Sequence, residues 1–189
     1  RAGNLCSHLL SWDNLLPAAI NAAKGKRRRP DVAAFLLDLE PNLVRLQAEL
    51  RDGVYAPGEY STFLIREPKP RQISAASFRD RVVHHALTQI IGPPWERRFS
   101  AHSYACRMGL GTHKALDAAA QSCRRFPFVL QCDIRKYFAS IDHQILKAHL
   151  ARVIKCRPTL ALAAAIIEGS NEQESTPIYF PGDTLFTPF

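Results

Sequence analysis

Two β-rich runs, Tyr60 to Arg66 and Gln72 to Ala75, flank the turn Glu67-Pro68-Lys69-Pro70 in a chain otherwise patterned mostly for helix. The paired prolines cannot continue either a helix or a ladder, so the two runs are predicted to fold back as a hairpin. Upstream, Leu39, Leu43, Leu46 and Leu50 recur at helical spacing, with Pro41 suited to a first turn and Gly53 to a C-terminal cap. Downstream, Ser77 and Asp80 form an S-x-x-D helix start for a stripe of Val83, Leu87, Ile90 and Ile91, which Gly92 is expected to end before Pro93 and Pro94. No regular alternation of strand, helix and strand runs through the chain. The pattern therefore predicts an α+β fold, not a doubly wound sheet.

The remaining segments fit that class. The first thirty residues are weakly patterned and end in the charged run Lys24 to Arg29, a solvated surface or a contact to phosphate. His84 and His85 are adjacent on a helix and point about 100° apart, which disfavours a shared metal. They are read as surface or groove histidines. A short helix is expected around Trp95, then a glycine-containing loop, then a helix capped by Thr112 and running to about Arg125. Asp142 caps a further helix bearing Ile145, Leu146, Leu150, Val153 and Ile154, and Pro158 opens another that reaches Ile167.

The stretch Val129 to His143, VLQCDIRKYFASIDH, carries the chemical question. Phe128 to Asp133 reads as a strand, with Asp133 on its more polar face. Such a carboxylate either marks a strand meeting water or delivers a metal ligand to a cleft.

Charge narrows the partners. Lysine and arginine number 25 against 17 acids, a formal net charge of +8, with a pI near 9.5. That surplus favours a polyanion, nucleic acid before membrane. A hydrophobic fraction of 47% is enough for a core. No apolar run reaches the roughly 18 residues of a membrane span, and no signal peptide is visible. Five scattered cysteines without a C-x-x-C pair argue against a disulfide framework or a zinc site. They point to a reducing, cytoplasmic compartment.

Four blocks together resemble the N-terminal half of bacterial reverse transcriptases, the group that includes group II intron, retron and diversity-generating retroelement enzymes. EPKPRQISAASFRDRVVHHAL is similar to the fingers hairpin and its following helix, and WERRFSAHSYACRMGLGTHKAL to the next block. VLQCDIRKYFASIDHQIL is similar to the first palm motif, and PIYFPGDTLFTPF to the approach to the next palm motif. The wording is most similar to diversity-generating retroelement enzymes. The resemblance covers roughly residues 31–189 and implies a basic N-terminal segment (1–30), a fingers-like region (31–126) and a partial palm (127–189). The family's Tyr-x-Asp-Asp motif and the Gly-Leu-Pro-rich motif before it are absent, so the chain is read as an N-terminal fragment.

The resemblance implies RNA-directed DNA polymerase activity in a complete parent, with two Mg2+ ions (or Mn2+) serving nucleotidyl transfer. Asp133 would be the catalytic carboxylate and first metal ligand, and the carbonyl of Ile134 a further ligand. Arg66, Arg71 and Phe138 correspond to nucleotide-binding positions, Phe138 beneath the sugar. Lys69, Arg79, Arg81, Arg107 and Lys114 are expected along the template backbone. The implied partners are an RNA template, a DNA or RNA primer, deoxynucleoside triphosphates and an accessory protein of the retroelement. Two other readings stand beside this one. One is a non-catalytic RNA-binding or splicing-type module of the same fold; the other is an unrelated basic α+β protein.

Overall fold

Helix α2 (Trp12–Ala23) lies against helix α5 (Phe78–Glu96) at the centre of the molecule. A computed structural model of the chain describes residues 2–66, 71–134 and 137–170. On α2, Leu15, Ala18, Ala19, Ala22 and Ala23 are all buried. Their positions repeat at i, i+3, i+4, i+7 and i+8, one face of a helix. Four of the five are alanines, whose small side chains let the two backbones approach. On α5, Val82, Val83, Ala86 and Leu87 complete the contact. Asn14, itself buried, donates from Nδ2 to the carbonyls of Leu9 (3.0 Å) and Ala86 (3.1 Å), which satisfies its amide inside the core. The weakly patterned first thirty residues thus supply a central helix. Its alanine face has the right period but little hydrophobicity to announce it.

Three further helices close around this pair. Helix α1 (Leu5–Leu9) touches α5, helix α3 (Pro30–Leu37) begins on a proline, and helix α4 (Leu39–Asp52) buries Leu43 and Leu46. Full burial of a leucine contributes about 1.5–3 kcal/mol. Phe35 meets Phe78 edge to face at 5.1 Å. Gly53 ends α4 in the left-handed region at φ 71°, where a side chain would be strained.

Strands β1 (Ser61–Ile65) and β2 (Arg71–Ala75) pair antiparallel in the register Ser61↔Ala75 to Ile65↔Arg71. The expected turn between them lies outside the described residues. Ser77 caps α5 by accepting from the N–H of Asp80. Contrary to the expected stop at Gly92, α5 runs on through Pro93 and Pro94 to Glu96, so Trp95 belongs to it and not to a separate helix. Proline's φ is compatible with helix; what is lost is two backbone donors, not the helical course.

Helix α6 (Thr112–Arg125) starts one residue earlier than the Thr112 cap implies, with Gly111 at the N-cap and φ 107°. Phe128 to Asp133 forms no strand: among the described residues the sheet consists of β1 and β2 alone. Alternating polarity marks a strand only where another segment accepts its ladder bonds, and no described segment does so here. Phe128, Val129 and Leu130 are accordingly exposed. After a 3-10 turn at Tyr137–Ser140, helix α7 (His143–Val153) is capped by Asp142, and helix α8 (Arg157–Glu168) packs on α7 and α1. Ala2 bridges in parallel to Ile154, donating to the carbonyl of Val153 at 2.9 Å and accepting from the N–H of Lys155 at 2.7 Å.

Candidate nucleic-acid interface

The base of the hairpin is tied down by one buried carboxylate. Asp80 is 1% exposed. It accepts from the Tyr55 hydroxyl at 2.8 Å, the Gly58 N–H at 3.0 Å and the Ser77 hydroxyl at 2.8 Å. Residues 55–58 lead into β1 and residues 77–80 lead out of β2, so a single side chain joins both legs. A Cβ on Gly58 would stand 3.2 Å from Asp80 Oδ2, tight enough to disturb the contact. Burial first, then the Asp80 hydrogen bond and charge, push the Tyr55 phenol well above its ordinary pKa. The S-x-x-D spacing revealed Asp80 as a helix start. Its partners from residues 55 and 58 had no local signal.

The hairpin itself projects from this anchor. Every residue of β1 is exposed. Arg66 follows the last paired position and is exposed, and Arg71 opens β2 opposite Ile65, so the backbone brings these two to the same end of the hairpin. Lys69 lies outside the described residues.

The three arginines expected to contact template are engaged within the molecule. Arg79 forms an ion pair and hydrogen bond with Glu49, lies 3.4 Å from Asp80 and stacks its guanidinium over the Tyr55 ring at 4.9 Å. Arg81 donates to the carbonyl of Ala22 at 2.9 Å, fastening α5 to the end of α2. Arg107 pairs with Glu96 at 2.6 Å and donates to the carbonyls of Ser100 (2.9 Å) and Ser103 (2.8 Å), its side chain only 14% exposed. Lys114, in the first turn of α6, is exposed. So are Lys24, Lys26, Arg27 and Arg28 in the turn between α2 and α3.

Asp133 and Ile134 are exposed and lie in the segment without helix or ladder. Phe138, in the 3-10 turn, is 83% exposed and touches Tyr137 edge to face at 5.3 Å. Among the described residues no hydrogen bond or ion pair joins Asp133, Ile134 or Phe138 to Arg66. Nor does any group of three or more His, Cys, Asp and Glu side chains assemble there that could hold a metal. Asp133 is a hard-oxygen donor of the kind magnesium prefers, but one carboxylate does not make a two-metal site.

His84 was read as a surface or groove residue, and the structure half-buries it on α5 with Nε2 enclosed and unpartnered. Burial lowers its pKa, against the opposing pull of Asp80 four residues earlier. His85 is lowered as well, by burial and then by Arg81 and Lys26.

With this geometry in hand, comparison with known proteins gives one direction. No family model matches the sequence. The chain does have a distant relation to an intron maturase. That protein is the mitochondrial "nuclear intron maturase 1" of Arabidopsis thaliana, 27% identical over 96 residues. The match covers 51% of this chain and 14% of the maturase. No helix among the described residues is long and apolar enough to cross a membrane.

Proposed function

We propose that this chain is the RNA-gripping part of a reverse-transcriptase-type protein whose whole form carries out RNA-directed DNA synthesis. The observation that carries the reading is the distant likeness to an intron maturase, which falls on a basic chain already resembling reverse transcriptases in four ordered blocks. The arrangement supports it in a specific way. A clamp at Asp80 holds a hairpin whose first strand is exposed and whose far end brings Arg66 and Arg71 together, and a cationic turn at Lys24 to Arg28 lies open to solvent. Cations on exposed, positioned elements attract a phosphate backbone and carry no base-specific information.

On this reading Asp133 supplies one carboxylate to catalysis and Phe138 a ring against the nucleotide sugar. The remaining carboxylates that two-metal transfer requires come from other residues of the whole protein. The maturase likeness also favours a second reading, in which the protein binds intron RNA and aids its splicing without polymerising.

Two assays test this. Filter binding of residues 1–189 to RNA across a salt series should give a steep loss of affinity with salt; binding that is absent or indifferent to salt overturns the RNA-gripping role. Primer extension with the whole protein and magnesium should succeed with the native sequence and fail with Asp133→Asn. RNA binding and splicing stimulation without extension would select the second reading.

A further inference from the structure

Cys6 and Cys156 come from opposite ends of the described chain and meet at one open cleft of about 790 Å³. The Ala2–Ile154 bridge brings the chain's start alongside the junction of α7 and α8. There Cys156 is the N-cap of α8, and its sulfur accepts from the Thr159 hydroxyl at 3.2 Å. Lys155 and Arg157, both exposed, flank it along the same cleft. The other cysteines, Cys106, Cys123 and Cys132, are exposed and have no comparable setting.

We propose that Cys156 is a thiol-modification site that reacts with small disulfides bearing carboxylates, and that Cys6 resolves the product into a Cys6–Cys156 bond. This is independent of the nucleic-acid reading. Burial alone pushes the Cys156 thiol up, but the donors around the sulfur outweigh it and hold its pKa below the ordinary thiol value. Burial first, and then the neighbouring Cys156 charge, raise Cys6. The two thiols are therefore unlike: one is poised to attack and the other waits as a protonated partner.

The chemistry balances. The Cys156 thiolate attacks one sulfur of R–S–S–R, the S–S bond breaks, one R–S⁻ leaves and Cys156–S–S–R forms. Cys6 gives its proton to the released R–S⁻, and its thiolate attacks the Cys156 sulfur and expels the second R–S⁻. The two protein thiols are oxidised by two electrons and the small disulfide is reduced to R–SH and R–S⁻. Lys155, Arg157 and the positive end of α8 favour an anionic R group.

The test treats the intact reduced chain with oxidised glutathione at pH 7, with neutral hydroxyethyl disulfide in parallel, then alkylates and maps peptides by mass spectrometry. Cys156 should react several-fold faster than Cys106, Cys123 or Cys132 despite their greater exposure, and the adduct should convert to a Cys6–Cys156 cross-link. Cys6→Ser should trap the adduct on Cys156, and Thr159→Val should slow its formation. Glutathione's advantage over the neutral disulfide should shrink in high salt and with Arg157→Gln. Equal or faster reaction at the three exposed cysteines overturns Cys156 as the site. A lasting adduct on native Cys156 with no cross-link overturns Cys6 as its partner. Equal rates for the two disulfides in low salt overturn the anionic preference.

Discussion

Asp80 accepts the Tyr55 hydroxyl at 2.8 Å inside the molecule, joining the approach to β1 to the first turn of α5 across 25 residues of sequence. The carboxylate also holds the Gly58 N–H and the Ser77 hydroxyl, so its removal leaves several polar groups short of a partner at once.

Asp80→Ala is expected to destabilise the fold by about 3 kcal/mol, because buried donors lose their acceptor. Tyr55→Phe removes one hydrogen bond and should cost about 1–2 kcal/mol. Urea denaturation of both single variants and the double variant measures the coupling. Additive losses would mean that the two side chains act separately.

Stability should fall as the pH drops below about 6.5, the ordinary histidine value. Both His84 and His85 are lowered in the folded state, so in the window between their folded pKa values and 6.5 the unfolded chain binds more protons. Their contribution is fully present above that window and is lost as the pH falls through it. Urea midpoints measured from pH 7.5 to 5 should show the decline, and His84→Leu should flatten it. An unchanged slope in that variant would remove His84 as the source.

Arg107→Ala should harm stability more than RNA affinity. Its guanidinium pairs with Glu96 and supports two loop carbonyls, and loss of such a charged hydrogen-bond donor costs about 1.5–3 kcal/mol. Joint replacement of Lys24, Arg27 and Arg28 by glutamine should do the reverse. It should leave the melting temperature nearly unchanged and reduce the log–log salt slope by about 0.7 per lost phosphate contact on single-stranded RNA. Circular dichroism melts beside filter binding separate the two effects.

Asp133→Asn and Phe138→Ala should each change stability by no more than about 0.5 kcal/mol, since both side chains are exposed. The expected loss of DNA synthesis in the first and of sugar discrimination in the second would then be functional in origin. Arg71→Ala should likewise raise the KM for nucleotide with little effect on melting. Early unfolding of any of the three would assign that residue to the framework instead.

The sequence by itself determined the features settled within a few residues. The Ser77 and Asp142 caps, the Gly53 terminus and the two strands around residues 67–70 all rest on hydrogen bonds and φ preferences that neighbouring residues decide. The leucine stripe of α4 was legible for the same reason, because its period is local. Only the tertiary structure decided what each charge and each apolar run faces. Arg79, Arg81 and Arg107 read in sequence as cations expected along a template backbone, and the fold sets Glu49, the Ala22 carbonyl and Glu96 within their reach. Of these only Glu96 is near its arginine in sequence. The alanine face of α2 became core because α5 lies against it, and Phe128 to Asp133 failed to become a strand because no described segment pairs with it. A helix closes its hydrogen bonds within its own four-residue reach. A strand, a buried ion pair and a core contact all depend on partners that distant parts of the chain must supply.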